Sequence, residues 1–235
     1  GGAITSATAS KFGGAALRTT LASDYLTTPM GADLRPGSGA YTVDFWMNYT
    51  SGTGVIWQIG NDLNNRLYLQ IFGGVIRLAW FISAAATTHD GATTVTTGNW
   101  HHVALVRNGG QFKVYLNGVL EITATDFTIP DYTAVMCIGS DTAYGGGASP
   151  FNGYLDEFRI HKGLAVWTAG FTPPTAETYD GTTTAGIKNG FHLKKDQPAE
   201  SHVMVQNFDG ANKKIFSSTS AVPSQGNLST TLYTE

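Results

Sequence analysis

Charge is scarce in this chain. Asp, Glu, Lys and Arg together make up 13% of its 235 residues, about half the usual share. The net charge is −3, and no Lys/Arg cluster is present to track a phosphate backbone, so nucleic acid is not expected as a partner. Cysteine is nearly absent: Cys137 stands alone, which excludes a disulfide within the chain. A secreted eukaryotic domain of this size more often carries bridges, so the count favours a cytosolic origin or a virus particle assembled in one. Long apolar runs are missing. The stretch Val75–Ile82 is far too short to span a bilayer, and membrane insertion is not expected. The chain opens on Gly-Gly, with no Met and no signal peptide, as expected of a processed or expressed piece of something longer. Two common catalytic motifs, Gly-x-Ser-x-Gly and His-Glu-x-x-His, do not occur.

Glycine (29 residues), threonine and aromatics fill the space that charge leaves. Strong helix formers are few, and period-2 alternation recurs where helical periodicity does not. In Tyr41–Tyr49 the apolar set Tyr41, Val43, Phe45, Met47 and Tyr49 alternates with Thr42, Asp44, Trp46 and Asn48. Leu67, Leu69 and Ile71 form one face of a strand over 66–72. Ile76, Leu78, Trp80 and Ile82 form one face of the next, and Gly73-Gly74 between them reads as a tight hairpin turn. Residues 100–123 read as a three-stranded meander, turning at Asn108-Gly109-Gly110 and again at Asn117-Gly118. Two further strands are expected over 135–139 and 153–160. Eleven to thirteen short strands at this spacing predict an all-β, two-sheet antiparallel jelly-roll sandwich over residues 1–180. One short helical turn is expected at 162–168. Residues 181–235 are polar, with sparse apolar positions, and read as a linker and C-terminal arm.

Several of these blocks resemble the concanavalin A-like lectin/glucanase superfamily, in its laminin G and pentraxin-like branch. They include Lys11-Phe12-Gly13-Gly14, the strand Tyr41-Thr42-Val43-Asp44-Phe45-Trp46, and Asn99-Trp100-His101-His102-Val103-Ala104. Tyr115-Leu116-Asn117-Gly118 and the closing strand Phe151-Asn152-Gly153-Tyr154-Leu155-Asp156-Glu157-Phe158-Arg159-Ile160 complete the set. The resemblance covers roughly residues 10 to 178. Lys162-Gly163-Leu164-Ala165 through Phe171-Thr172-Pro173-Pro174-Thr175 is similar to versions found in bacteriophage virion proteins, on tail fibres, head fibres or capsid decorations. The glucanases of the superfamily hydrolyse sugars with a strand reading Glu-x-Asp-x-x-Glu. Glutamate occurs here only at 121, 157, 177, 200 and 235, none with Asp two positions later, so catalysis of that kind is not expected.

Asp156 shares its phase with Tyr154, Phe158 and Ile160, so alternation turns it toward the apolar face, where a carboxylate needs partners. The resemblance implies Ca²⁺, with Asp24 as co-ligand. Backbone N–H groups or an Arg are the other kind of partner, and for Asp24 the other role is that of a turn-forming Asp. His101 and His102 are adjacent on a strand and point to opposite faces, so they cannot easily share a metal. Cys137 lies in an apolar strand and reads as a buried small hydrophobe. Glycan binding needs an aromatic platform with polar groups at its rim. The candidates are Tyr144 and Asp141 in the glycine-rich loop 141–149, and Asn61 and Asp62 in the loop 60–65. Trp57 and Trp80 fall in strands and read as core.

The expected function is a non-enzymatic phage virion module, a capsid decoration or a head or tail fibre, that binds host-surface glycans. It is expected in the virion as a homo-oligomer, with a trimer favoured, beside other virion proteins. The alternative is a carbohydrate-binding module of a larger secreted or cell-surface protein, located outside the cell. A glucanase-type enzyme is a more remote third.

Overall fold

The computed structural model describes residues 4–12, 14–21, 23–32, 34–125, 129–130, 132–141, 149–176, 190–195 and 203–207, with Ile4 and the last two stretches by backbone alone. Two antiparallel sheets face each other. The first runs β1 (Ile4–Ser6), β2 (Ala16–Thr19), β13 (Gly153–Lys162), β4 (Tyr41–Tyr49), β9 (Trp100–Asn108), β10 (Gln111–Leu116) and β11 (Val119–Thr125). The second runs β3 (Leu26–Pro29), β12 (Val135–Ile138), β5 (Gly54–Asp62), β6 (Asn65–Phe72), β7 (Val75–Ile82) and β8 (Ala85–Thr94). A hairpin of β14 (Gly190–Lys195) and β15 (Val203–Asn207) joins the first sheet, with β14 pairing along β13 from Phe158 to His161. The rest of the expected arm, 181–189, 196–202 and 208–235, lies outside the described residues.

The alternation in the sequence sets which face each strand buries. Val43, Phe45 and Met47 of β4 meet Leu67, Leu69 and Ile71 of β6 and Ile76, Leu78 and Trp80 of β7 in one apolar core. Trp57 is fully buried there, and Phe45 stacks on Phe158 with ring centroids 5.2 Å apart. Each such large side chain contributes roughly 1.5–3 kcal/mol by burial. The two-residue turns are those the sequence predicts. Asn117-Gly118 and Gly73-Gly74 both have positive φ at both positions, the backbone that matches the right-handed twist of a hairpin.

Strand β8 was not legible in advance. Its sequence, AATTHDGATT, has no apolar alternation, and it becomes a strand by pairing with β7. Between Asp90↔Arg77 and Thr94↔Val75 it carries two extra residues. The amides of Ala92 and Thr93 freed by this bulge donate to Glu121 Oε2, each at 3.0 Å. Glu121 is itself bulged out of β11, between Leu120 and Ile122. One carboxylate therefore ties the edges of the two sheets.

The outer face of the first sheet is covered. Residues 163–171 do not form the expected helical turn. They cross the face as an extended strap, because the sheet supplies their hydrogen bonds. Thr42 Oγ1 donates to the Leu164 carbonyl (2.9 Å) and accepts from the Val166 amide (3.1 Å), and the Phe171 amide donates to the Gly118 carbonyl (3.0 Å). Trp167 and Phe171 stack on each other at 4.1 Å and pack on Ala104, Val106 and Tyr115. The strap passes so close to the β10–β11 turn that a Cβ on Gly118 would collide with the Phe171 carbonyl.

Beneath the strap, Asp44 is completely buried. Arg159 donates to Asp44 Oδ2 through Nε (2.9 Å) and Nη2, and His102 Nε2 lies 3.2 Å from the same oxygen. His161 Nε2 is 3.5 Å from Oδ1. Burial alone would raise the Asp44 carboxyl. The Arg159 guanidinium, with hydrogen bonds from His102 and His161, holds it well below the usual carboxylate range. Asp44→Ala would leave the Arg159 charge buried without its carboxylate. Chemical denaturation of this variant is expected to show a loss of about 3–5 kcal/mol.

Candidate functional site

The far end of the first sheet's outer face is also occupied. The N-terminal segment lies over Trp46, with the Lys11 ammonium 3.9 Å from its ring and the Phe12 ring edge-on at 6.1 Å. Asp156 anchors this segment, its Oδ2 accepting from the amides of Lys11 (2.8 Å) and Phe12 (3.1 Å). Its Oδ1 accepts from the Glu157 amide at 2.9 Å. This corrects the expected phase. Glu157 is a bulge at φ 51°, and the β13–β4 register shifts between Asp156 and Arg159. Leu155 and Phe158 thus both reach the core, and Asp156 points outward instead of inward.

Asp24 does not join Asp156 in an oxygen cage. It sits in the turn between β2 and β3, its Oδ2 accepting from the amides of Thr20 (3.2 Å) and Leu21 (3.1 Å). Calcium takes six to eight oxygen ligands, whereas both carboxylates here spend their oxygens on donors of the chain itself. Among the described residues no three His, Cys, Asp or Glu side chains converge to hold a metal. The Asp156–Asp24 pair does not fit Ca²⁺.

The outer face of the second sheet over β6 to β8 is partly exposed: Phe72 is well exposed and Phe81 half-buried, whereas Tyr68, Gln70 and Ala79 are buried. The residues opposite the core set line up by register as cross-strand rows. Arg66 pairs with Phe81, Tyr68 with Ala79, and Gln70 with Arg77, which in turn pairs with Asp90 of β8. Phe72 continues the β6 row and is 44% exposed. The surface is tiled with flat groups. The Arg66 guanidinium lies 4.8 Å from the Tyr68 ring and 5.0 Å from that of Phe81, and the two rings run nearly parallel. The Arg77 guanidinium lies 3.6 Å from the Phe72 ring. Arg77 also forks onto Asp90 with Nε–Oδ1 at 2.5 Å and Nη2–Oδ2 at 2.8 Å. That contact holds the Asp90 carboxyl below its usual range. Gln58 lies at the inner end of the face, its amide donating to the Ser140 carbonyl (3.3 Å). This surface offers aromatic planes beside amide, guanidinium, carboxylate and hydroxyl groups, the chemistry that holds a sugar ring.

Of the four glycan-binding candidates, the fold brings one to this face. Asp141 borders it, 3.6 Å from Arg66 Nη1, and accepts from the Ser149 amide (2.8 Å). Tyr144 lies outside the described residues, in a segment whose ends, Asp141 and Ser149, both border the face. Asn61 and Asp62 serve local structure. Asn61 Oδ1 accepts from the amides of Thr133 and Ala134, and Asp62 closes the β5–β6 turn on Asn64 and Asn65. Arg66, Tyr68, Phe72, Arg77 and Phe81 were missed. The same alternation that nominated Leu67, Leu69 and Leu78 for the core assigns these to the opposite face, so the signal was present in the phase not read.

The first sheet also carries a groove of about 240 Å³ between Trp167 and the Asn108-Gly109 turn, smaller than ordinary ligand clefts. Trp57, Trp80 and Cys137 are buried, as their strands imply. His101 and His102 diverge. His101 contacts Thr96 and Asn117, whereas His102 faces Asp44.

The sequence profile described as the concanavalin A-like lectin/glucanases superfamily, in its laminin G form, matches residues 20–166. No curated protein matches the chain. Among solved structures, it is similar to domain 4 of AbnA, a GH43 extracellular arabinanase from Geobacillus stearothermophilus, in complex with arabinotriose. That likeness has 25% identity and a TM-score of 0.55, covering 70% of this chain and 77% of that one. It is also similar to the enzymatically active domain of tailspike protein 2 of bacteriophage CBA120, at 19% identity and TM-score 0.53, over 68% of this chain and 27% of that one. Mouse laminin α1 domains LG4-5 align at 15% identity and TM-score 0.49, over 68% and 41%.

Burial raises the Asp156 carboxyl to about 6, against the pull of the Phe12 and Lys11 amides. The folded protein therefore holds this proton more tightly than the unfolded chain. The resulting stability is fully present below the ordinary carboxylate pKa and is lost as pH rises through about 6. Asp44 runs the other way, its contribution present above the ordinary carboxylate pKa and lost below it. Thermal melts from about pH 4 to 7 are expected to show a downward slope in the wild type that flattens in Asp156→Asn.

Proposed function

We propose that this chain, which belongs to the concanavalin A-like lectin/glucanases superfamily, binds carbohydrate on the outer face of β6 to β8 without hydrolysing it. The observation that carries this reading is the surface of Phe72 and Phe81 with Arg77 and Arg66 laid across them and Tyr68 packed beneath. A sugar ring presents C–H groups on its faces and hydroxyls around its rim, so it pairs with flat apolar groups edged by polar ones. The bound arabinotriose of the arabinanase domain supports the same class of ligand. The state of the acids supports binding without hydrolysis. The Glu-x-Asp-x-x-Glu strand is missing, and Asp44, Asp90, Asp156 and Glu121 are all engaged by donors of the chain.

The setting we propose is a phage virion, in a capsid decoration or a fibre, with the module repeated as a homo-oligomer, a trimer favoured. The similarity of the Lys162–Thr175 block to phage virion proteins supports this, and that block is the strap with its trailing residues. A module of a larger secreted or cell-surface protein is the second reading, supported by the arabinanase domain, itself part of an extracellular enzyme. Light scattering behind size exclusion separates them. The virion reading expects a trimer from the full chain and a monomer from a chain ending near residue 179. Monomers from both would favour the second.

The binding reading is tested by calorimetry with arabinotriose and by a glycan array. Phe72→Ala and Phe81→Ala are each expected to weaken binding about fivefold or more, the worth of one aromatic contact. Leu120→Ala, on the edge strand of the other sheet, should leave it unchanged. Binding to no glycan, or binding indifferent to both aromatic substitutions, would overturn the reading.

A further inference from the structure

We infer that the glycan taken by this face is neutral, an oligosaccharide of pentoses or hexoses without carboxylate, sulfate or phosphate groups. The inference rests on the proposed binding face and narrows its ligand.

Two guanidinium groups on a sheet face would ordinarily suggest an anionic ligand, since Arg grips carboxylates and sulfates through its forked N–H groups. Here the Arg77 fork is not free. Arg77 presents Nε and Nη2 to the two oxygens of Asp90 at 2.5 and 2.8 Å, and its flat side lies on Phe72. Arg66 is withheld by burial: Asp141 Oδ2 lies 3.6 Å and Gln58 Oε1 3.5 Å from its Nη1, its Nε is buried without a hydrogen-bond partner, its flat side covers Tyr68 and Phe81, and its side chain is only 12% exposed. The two cations are matched by two carboxylates on the same face. In the open pair the acid is the outer member: the Asp90 side chain is 45% exposed and that of Arg77 17%. An approaching ligand meets negative charge first.

The described neighbours of the face add further acids. Asp62 lies in the adjoining β5–β6 turn and Glu121 caps the β8 edge, both acidic. The exposed Thr88 and Thr94 are uncharged, as are the buried Gln58 and Gln70. A sugar hydroxyl suits this arrangement, because it can donate to the free lone pairs of Asp90 and accept from an amide N–H. An acidic sugar would face the exposed Asp90 with the Arg77 fork already spent on that carboxylate and Arg66 only 12% exposed.

The test uses the full chain, with calorimetry and affinity electrophoresis at roughly 20 and 500 mM NaCl. The neutral probes are arabinotriose and linear arabinan. The acidic probes are polygalacturonate, sialyllactose and heparin. Neutral probes are expected to bind with affinity unchanged within about twofold between the two salts, and acidic probes about tenfold more weakly or not at all. Asp90→Asn, which releases the Arg77 fork, is expected to raise polygalacturonate binding about tenfold at low salt. Wild-type preference for an acidic probe, salt-sensitive and lost on Phe72→Ala, would overturn the neutral inference and leave the binding face standing. Binding to none of the probes, or binding that ignores Phe72→Ala and Phe81→Ala, would overturn both.

Discussion

Asp44 places a charge at zero exposure in the middle of the first sheet, and much of the fold is arranged around its neutralisation. Its partners come from two strands, Arg159 and His161 from β13 and His102 from β9, on either side of β4. Each pairing holds only in one register, because a one-residue slip would turn every one of these side chains to the core. An unpartnered carboxylate in such a place is costly, so the cluster rejects misaligned sheets more strongly than apolar packing alone would. The strap of residues 163–171 completes it by keeping water away. Trp167 and Phe171 lie edge-on to the His102 ring at 5.4 and 5.6 Å.

The same arrangement decides where a ligand has room. A sandwich has two outer faces, and in this one they differ. The first sheet's face is spent on the protein's own segments, the strap over Asp44 and the N-terminal stretch over Trp46. Among the described residues, no comparable strap lies over β6 to β8 of the second sheet. Its outward residues therefore pack on one another, and the arginines lie flat on the aromatic rings instead of extending into solvent. The product is a rigid surface of planar groups on a sheet, with little conformational freedom to lose when a ligand settles on it.

Reading the site from sequence alone fails in three instructive ways. Asn61 and Asp62 look like exposed polar groups in a loop, but loop backbones need their own hydrogen bonds, and these side chains supply them. Asp156 looks inward because period 2 was carried through a bulge, and no residue type announces that Glu157 takes a left-handed backbone. Tyr68, Phe72 and Phe81 were passed over because aromatics in strands are usually core. Their phase, opposite to Leu67, Leu69 and Leu78, places them on the outer face. Asp141 is the candidate that the fold carries to the face, since its loop emerges beside β5.

The sequence by itself determined the architecture. Alternating apolar residues, glycine pairs at the turns and the Asn117-Gly118 hairpin act over a few residues, so they specify strands, turns and core faces without reference to distant parts of the chain. Tertiary structure decided everything that joins distant segments. Lys11 meets Asp156, Thr42 meets Leu164, Gly118 meets Phe171, and Ala92 meets Glu121, across separations of 29 to 145 residues. Strand β8 belongs to the same class, because it has no pattern of its own and exists through the donors and acceptors of β7. Which outer face stays open is likewise set by where the strap and the N-terminal segment find hydrogen bonds, and local periodicity carries no record of that.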